Sequence, residues 1–272
     1  MPELPEVETI ANGVDRRVRG DRIVKAWFSH YREPFKTPPA AMAETLPGLR
    51  ISRVRRVGKH IVIDLAAKSA RAATKQLLVH LGMTGRLLVA APEVPVPAHT
   101  HAILQLGSGR ELRFVDPRRF GRLELLEGAA FAGPGSEPLT IGIDEFVALF
   151  RGRKLAIKAA LLHQSLLHGV GNIYADESLF RAKIRPTRAA GRLNRERLGR
   201  LQKALRTVLE AAIRAGGSSV SDYVDADGEA GFFQIQHRVY GREGLPCRVC
   251  GTPIRRIVLG GRGTHFCPRC QT

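Results

Sequence analysis

Apolar residues near the start of the chain recur every three or four positions, and Gly20 follows the last of them. This is the spacing of one face of an α-helix, with a glycine where a helix commonly ends. We therefore predict an amphipathic helix over residues 5–19. The residues on its apolar face are Val7, Ile10, Ala11, Val14 and Val18.

From about residue 22 to residue 126 the pattern changes to short runs of β-branched and aliphatic residues separated by turns. Several short strands at this spacing predict a β-sandwich or barrel. A segment rich in Pro and Ala, VAAPEVPVPAHT, is predicted as a loop within this region. The predicted strands are RIVKAWF, RISRVRRV, HIVIDL, QLLVHLGM, HAILQL, ELRFVD and RLELL.

The segment GAAFAGPGSEPLTIG, rich in Gly and Pro, is typical of a hinge, and helical patterns follow it. The predicted helices cover residues 144–150, 154–164, 175–182 and 194–215. We therefore expect an α+β protein. Its predicted parts are a β-sandwich domain over residues 1–130, a hinge over 131–143, a helical domain over 144–236 and a cysteine module over 237–272.

The charge balance indicates an anionic partner. Lys and Arg total 43 against 25 Asp and Glu, a formal net charge of +18. Nucleic acid is the first candidate, because phosphates bind cationic proteins through counterion release, and an anionic membrane is the competitor. No apolar run approaches the roughly 20 residues that span a bilayer. The first ten residues hold three acids and no base, unlike a signal peptide. We expect a cytoplasmic protein that binds nucleic acid.

Four cysteines form two C-x-x-C pairs near the end of the chain, with 16 residues between the pairs. Four thiolates in two close pairs can hold one structural Zn²⁺ ion tetrahedrally. A redox pair or two disulfides are the alternatives. The intervening segment predicts a β-hairpin with Arg262 near its tip. Arg262 could be a functional residue or an ordinary surface arginine. The predicted zinc ligands are Cys247, Cys250, Cys267 and Cys270.

Two glycines two positions apart, Gly169 and Gly171, predict a tight turn between helical segments. Backbone amides at such a turn, next to a helix N-terminus, suit a phosphate oxygen. Asn172 could donate to that phosphate or could instead be an ordinary N-cap. Lys154 and Lys158, expected on the preceding helix, would add positive charge to the same face.

Five segments, in this order, resemble the formamidopyrimidine-DNA glycosylase family and span nearly the whole chain. They are PELPEVET, HLGMTG, DPRRFG, GVGNIYADESLF and the cysteine module CRVCGTPI…RGTHFCPRC. The resemblance implies an N-terminal β-sandwich flanked by helices and a helix–two-turn–helix domain with a zinc-finger hairpin. It also implies a monomer that binds double-stranded DNA in a cleft between domains and turns the damaged nucleotide out of the stack.

The resemblance also implies the chemistry. Pro2 would become the terminal secondary amine after methionine removal, and such amines titrate at roughly 7.7–8.0, so a neutral fraction could attack the sugar. Glu3 would be the general acid, unless it or Glu6 only stabilises the helix N-terminus. Lys59, otherwise a surface lysine, would assist β-elimination. Arg262 would grip phosphate and assist δ-elimination.

Three residues match the family's positions that fill the gap left by the extruded base. Met83 is a flexible filler, Phe120 a wedge and Arg118 a partner for the orphaned cytosine; from residue type alone, Met83 and Phe120 would be core residues. Residues 217–234 match the segment that closes over the lesion. The further DNA-contacting positions that match are His99, Lys154 and Asn172.

The expected function is base-excision repair by a DNA glycosylase and abasic-site lyase that removes 8-oxoguanine and formamidopyrimidines through a Schiff base at Pro2. One alternative is an endonuclease VIII-like enzyme of the same fold that acts on oxidised pyrimidines. Another is a non-catalytic nucleic-acid-binding protein with a zinc ribbon. His168 departs from the family pattern, so the packing of its turn stays open.

Overall fold

The structure is a computed structural model that describes residues 2–66, 75–128, 130–218 and 231–272. The chain forms two compact units. The first contains Met1–Ala132 and Gly216–Gly231, and the second contains Gly133–Ala215 and Phe232–Thr272. The finer division into a hinge, a helical domain and a cysteine module stays a prediction.

The first unit contains two four-stranded antiparallel sheets, one in the order β1-β6-β7-β5 and the other in the order β2-β3-β4-β8. Its helices are α1 (Leu4–Val18) and α2 (Pro39–Thr45). Its strands are β1 (Ile23–Phe28), β2 (Arg50–Val57), β3 (His60–Ala66), β4 (Lys75–His80), β5 (Arg86–Ala90), β6 (Thr100–Leu106), β7 (Glu111–Val115) and β8 (Arg122–Glu127).

One apolar core joins the two sheets and α1. Ile63 and Leu77 from one sheet belong to the same buried cluster as Leu104 and Phe114 from the other, and Val14 of α1 joins them. Burial of these side chains on both inner faces is the arrangement of a β-sandwich. The predicted fold class, α+β with a helix-flanked sandwich, is confirmed.

Two elements of the first unit were absent from the sequence prediction. Helix α2 begins at the second of two consecutive prolines and is only seven residues long, too short for a clear helical pattern. Strand β5 lies at a sheet edge and buries only Leu87, so it has no alternation of apolar and polar positions to detect.

The second unit is helical and ends in a two-stranded hairpin. Helix α6 buries one apolar face and begins at the N-cap Asn194, whose side chain accepts a hydrogen bond from the Arg197 N–H. None of the helices in the described ranges has an apolar stretch long enough to cross a membrane. The elements are α3 (Ile143–Phe150), α4 (Ile157–Leu161), α5 (Asn172–Arg181), α6 (Arg195–Arg214), β9 (Arg255–Leu259) and β10 (Arg262–Phe266), with 3₁₀ turns at Ala190–Arg192 and Phe233–Gln236.

Candidate functional site

The start of the chain is fixed by the N-terminus of α1. Glu3 is the N-cap residue and forms a capping box with Glu6, whose Oε2 accepts the Glu3 N–H at 2.8 Å. Pro2 precedes this cap and is buried. The backbone around Pro2 is therefore held by helix capping, and the capping role considered for Glu3 and Glu6 involves both residues.

Glu6 also holds a segment from far along the chain. Its Oε1 accepts the buried Ser218 N–H at 2.8 Å. Gly217, at a φ of +84°, lies so close that a Cβ there would be 2.9 Å from the Glu6 Cγ. This contact places the beginning of the segment 217–234 beside α1. Residues 219–230 of that segment lie outside the described residues.

Lys59 lies in the two-residue turn that joins β2 to β3 and is half-buried. Gly58 precedes it with a φ of +61°, a left-handed conformation that tight hairpin turns require. Two residues before that glycine, Arg56 donates from Nε to Glu8 Oε2 at 2.6 Å and is almost fully buried. The ion pair joins β2 to α1, so the turn carrying Lys59 is fixed against the helix that begins beside Pro2.

Asp116 organises the loops that contain the HLGMTG and DPRRFG segments. Its side chain is fully buried and accepts the Thr84 hydroxyl at 2.6 Å, the Arg118 N–H at 3.3 Å and the Gly121 N–H at 2.7 Å. Its own N–H donates to the His99 carbonyl at 3.0 Å. Through its side chain and its backbone, Asp116 therefore ties three segments together, a role that the sequence did not predict.

Two glycines let these loops meet backbone to backbone. A Cβ on Gly82 would lie 2.5 Å from the Gly121 nitrogen, which no side chain tolerates. The contact brings together the turn that carries Met83 and the loop that carries Phe120. Met83 is 43% exposed and Phe120 is 49% exposed, so the core-packing alternative for these residues is wrong.

Arg118 and Phe120 form one exposed group, since the Arg118 guanidinium lies 4.7 Å from the centre of the Phe120 ring. Arg119 between them has a φ of +54° and stacks over the Tyr31 ring at 4.4 Å. With Arg119 in this left-handed conformation, its two neighbours contact each other while its own side chain contacts Tyr31. Two of the three proposed gap-filling residues are in direct contact, and Met83 lies on the adjoining turn.

His99 is exposed and adopts a left-handed conformation with a φ of +62°. The preceding Pro-rich loop is held by Arg113, which is 1% exposed. Its guanidinium pairs with Glu111 at 2.7 Å and donates to the carbonyls of Val94 at 2.9 Å and Pro95 at 3.2 Å. A buried arginine thus fixes the loop that presents His99.

His60 and His80 face each other across β3 and β4, with their ring centres 5.0 Å apart. Burial, reinforced by His60 and by nearby cations including Lys59, lowers the pKa of His80 to about 4. His80 is therefore neutral at physiological pH, and its Nδ1 accepts the Gly82 N–H at 3.2 Å. This bond steadies the turn that leads to Met83.

In the second unit, Gln164 and His168 fix the two-glycine turn. Gln164 Oε1 accepts the Gly169 N–H at 3.0 Å, and its Nε2 donates to the Val170 carbonyl at 2.9 Å. His168 is buried, and its Nε2 lies 3.3 Å from Glu137 Oε2. A histidine at this position is therefore accommodated by a carboxylate partner.

Asn172 is the first residue of α5, and Gly171 occupies the N-cap position, so the N-cap alternative for Asn172 is wrong. Its Nδ2 donates instead to the Gly263 carbonyl at 3.0 Å. Gly263 directly follows Arg262 in the finger hairpin. The structure thus brings together the backbone beside Arg262 and the asparagine that matches the family's phosphate-binding residue.

Lys158 has a different role from the one expected. It is fully buried, and its Nζ lies 2.8 Å from Asp176 Oδ1, 2.8 Å from the Gly263 carbonyl and 2.9 Å from the Thr264 hydroxyl. Lys154 is exposed and lies before α4 rather than within it. Only Lys154 adds charge to the surface, whereas Lys158 locks the finger strand to helices α4 and α5.

Arg262 is exposed at the start of β10, directly after the two-residue turn of the hairpin. Gly260 and Gly261 form that turn with φ values of +56° and +73°. Two left-handed residues in a row are typical of the tight hairpin turn that matches strand twist. The turn and the contacts of Gly263 together fix the backbone on both sides of Arg262.

The four cysteines form one cluster whose sulfur atoms all lie within 4.8 Å of one another. Three of the Sγ–Sγ distances are 3.4, 3.5 and 3.9 Å, far longer than a disulfide bond. Zinc–sulfur bonds of about 2.3 Å in a tetrahedron would separate the sulfurs by about 3.8 Å. The cluster therefore fits one structural zinc ion, as predicted, and the disulfide alternative is wrong.

Comparison with known families gives three consecutive matches. Residues 1–123 match the formamidopyrimidine-DNA glycosylase N-terminal domain, and residues 133–224 match the H2TH domain of the same glycosylase. Residues 244–272 match the zinc finger found in FPG and IleRS. The three matches cover most of the chain.

Individual relatives match over their full length. The formamidopyrimidine-DNA glycosylase of Ralstonia pickettii is 46% identical, with 100% of both chains covered. A Lactococcus lactis FPG mutant, solved with DNA containing Fapy-dG, superposes with a TM-score of 0.90 at 32% identity over 100% of both chains. The Thermus thermophilus FPG protein gives a TM-score of 0.85 at 41% identity, over 99% of this chain and 98% of that one. The chain therefore belongs to the formamidopyrimidine-DNA glycosylase family of DNA glycosylases and abasic-site lyases.

Proposed function

We propose that the protein removes oxidised purines, 8-oxoguanine and formamidopyrimidines, from duplex DNA and then cleaves the strand by β,δ-elimination. The observation that carries the proposal is the placement of Pro2 directly before the capped N-terminus of α1, with Glu3 beside it. Methionine removal turns the Pro2 nitrogen into a secondary amine on a rigid helix end. We further propose that the enzyme acts as a cytoplasmic monomer.

The first step is covalent. The Pro2 amine attacks the sugar C1′, a nitrogen–carbon bond forms, and the base departs with the electrons of its glycosidic bond. The nitrogen loses its proton, the C1′–O4′ bond opens and Glu3 protonates O4′, which leaves an iminium ion. Both residues belong to one short stretch of backbone, so the nucleophile and the acid are positioned together.

Strand cleavage follows from the iminium ion. Loss of a proton from C2′ expels the 3′ phosphate, and Lys59 assists this β-elimination. Loss of a proton from C4′ then expels the 5′ phosphate, assisted by Arg262. Asn172 binds a backbone phosphate, Lys154 and His99 contact the DNA at further positions, and these contacts position the duplex.

Base extrusion leaves a gap that the exposed group on the first unit fills. Met83 and Phe120 enter the stack, and Arg118 donates to the orphaned cytosine. The exposure of all three side chains supports this role, because buried side chains could not enter DNA. An Arg118→Ala variant should excise 8-oxoguanine opposite adenine and opposite cytosine at more similar rates. Undiminished preference for cytosine would contradict the assignment.

The decisive experiment is borohydride trapping on a duplex with 8-oxoguanine opposite cytosine, followed by mass spectrometry of the adduct. Borohydride reduces the iminium ion to a stable amine, so a DNA adduct on Pro2 is expected. A Pro2→Gly variant should still bind the duplex but lose excision. A duplex with an oxidised pyrimidine tests the alternative specificity, and trapping on that duplex alone would overturn the proposal. Binding without any adduct, in protein lacking Met1, would indicate a non-catalytic protein.

A further inference from the structure

A groove of about 520 Å³ lies in the second unit, beside the C-terminal end of α5. Its floor is apolar: Phe180, Val208 and Phe233 line it, and each is at least 92% buried. At its edge, Ile235 is 68% exposed and Val249 is 69% exposed. A large apolar side chain entering this groove would cover two aliphatic residues that now face water, which is favourable.

The rim of the groove is positively charged. Arg181, Lys183, Arg238 and Arg248 line it and are exposed. Within the described residues none of these four side chains has a carboxylate within 4.0 Å. Among the described residues, these four cations therefore have no carboxylate partner, and they surround an apolar floor.

Glu177 is the carboxylate that lines the groove, and it does not neutralise the rim. It is buried and accepts four backbone hydrogen bonds of 2.8 to 3.0 Å from the N–H groups of Arg238, Val239 and Tyr240. These bonds fix the backbone that leads from the 3₁₀ turn into the finger. The cationic side chains on the rim thus extend from a rigid frame.

The groove is separate from the residues that we assign to DNA. Asn172 begins α5 and Arg181 ends it, so the two ends are about 14 Å apart at 1.5 Å per residue. In the finger, the groove contacts Arg248 and Val249 between the first two cysteines, whereas Arg262 follows the hairpin turn. The proposed catalytic and DNA-binding roles leave this surface unused.

We propose that the groove docks an acidic segment of a partner protein that inserts one large apolar side chain between the basic rim residues. The basic rim favours an acidic partner by charge complementarity, and the apolar floor favours a large apolar side chain as the residue that is buried on binding. Single-stranded nucleic acid fits less well, because its bases need exposed aromatic faces for stacking. The aromatic side chains that line the groove, Phe180 and Phe233, are buried.

The proposal is tested by fluorescence anisotropy with the full-length, zinc-loaded protein at about 0.15 M salt, where nonspecific attraction is screened. The probe is a fluorescein-labelled peptide with four glutamates flanking a central Phe-Leu pair. We expect saturable binding that weakens at least fivefold for Arg181→Glu, for Arg248→Glu and for Ile235→Ser. Arg200→Glu, an equally charged change at an exposed position on α6, is the matched control and should change binding less than twofold.

A second peptide with Ser-Ser in place of Phe-Leu separates docking from simple charge attraction. Equal binding of both peptides, or equal weakening by Arg200→Glu, would overturn the proposal. A groove variant that loses single-stranded DNA binding while keeping peptide binding would indicate a nucleic-acid surface instead. Zinc content and melting temperature verify that each variant is folded. The trapping experiment on 8-oxoguanine, run in parallel, reports on the proposed catalysis independently.

Discussion

The two units hold their functional loops with different chemistry. In the first unit, buried Asp116 accepts hydrogen bonds from a hydroxyl and two backbone N–H groups, with no cation among the donors. In the second, buried Lys158 and Asp176 form an ion pair that also grips the backbone next to Arg262. Removing one donor to Asp116 leaves its other hydrogen bonds in place. Removing Lys158, in contrast, leaves the buried Asp176 carboxylate without its cation.

The two kinds of contact match the different surroundings of the loops that they hold. In the proposed role, Met83 and Phe120 fill a gap in DNA and must therefore be exposed. Their loops are held by backbone contacts and by the Asp116 carboxylate. Arg262 extends from a small finger with little core of its own, and such a module needs a metal and an ion pair to hold its position.

The largest effect is expected from Cys267→Ser, which removes one zinc ligand from the second unit alone. Structural zinc contributes about 10–16 kcal/mol to small finger peptides, so the finger should lose its zinc and its fixed structure. Zinc content should fall, and affinity for duplex DNA should drop more than tenfold. Unchanged zinc content and affinity would contradict the assignment of the finger.

The next largest effect is expected from Lys158→Met, which leaves Asp176 buried without its cation. Breaking a buried pair costs about 3–5 kcal/mol, so the urea midpoint of unfolding should fall clearly. Adding Asp176→Leu to that variant should restore part of the loss. Lys154→Met, at an exposed position, is the control and should change stability by less than about 0.5 kcal/mol. Equal effects of the two lysine variants would show that the ion pair contributes little.

A smaller effect is expected from Asp116→Asn, which keeps the shape of the side chain but replaces one acceptor oxygen with a donor. One of the N–H or hydroxyl partners then faces an N–H group, at a cost of about 1–3 kcal/mol. Because these loops carry Arg118, discrimination of the opposite base should also weaken. Glu93→Gln, at an exposed position, provides the comparison. A loss of stability without any loss of discrimination would separate Asp116 from the loop function.

The smallest effect is expected on the pH dependence of stability, through the titration of His80. Because the pKa of folded His80 is about 4 and an unfolded histidine titrates near 6.5, only the unfolded chain gains a proton as pH falls between these values. The stabilisation from this site is present above pH 6.5 and is lost as pH falls toward 4. His80→Asn keeps an acceptor for the Gly82 N–H but cannot titrate, so the stability of the variant should fall less than that of the parent protein over that range. Identical pH profiles of urea unfolding would contradict this account.

Much of the fold could be predicted from the sequence because its patterns are local. Helix α1 is an example: it was expected over 5–19 and covers Leu4–Val18. The weak points were also local. Helix α4 was expected over 154–164 but covers only Ile157–Leu161, so Lys154 and Lys158 do not share a helix face.

The site was less predictable because its decisive contacts join distant residues. The spacing of Gly82 and Gly121 does not reveal their backbone contact, and nothing in the segment DPRRFG indicates that Asp116 accepts a hydrogen bond from Thr84. Lys158 looked like a surface lysine for the same reason, since Asp176 and Gly263 lie far along the chain. Residue type identified the cysteine cluster, because metal chemistry restricts both the ligands and their spacing.

The contact between Glu6 and Ser218 has a consequence for synthesis on the ribosome. The chain enters the second unit at Gly133 and returns to the first at Gly216, so the first unit is not complete when its sheets have emerged. The sandwich can form early, but the Ser218 N–H reaches Glu6 only after the long α6 has been made. The N-terminal helix that presents Pro2 would therefore acquire its final set of contacts late in translation. A nascent fragment that stops before Gly216 would hold folded sheets, but its N-terminal helix would lack the contact between Glu6 and Ser218.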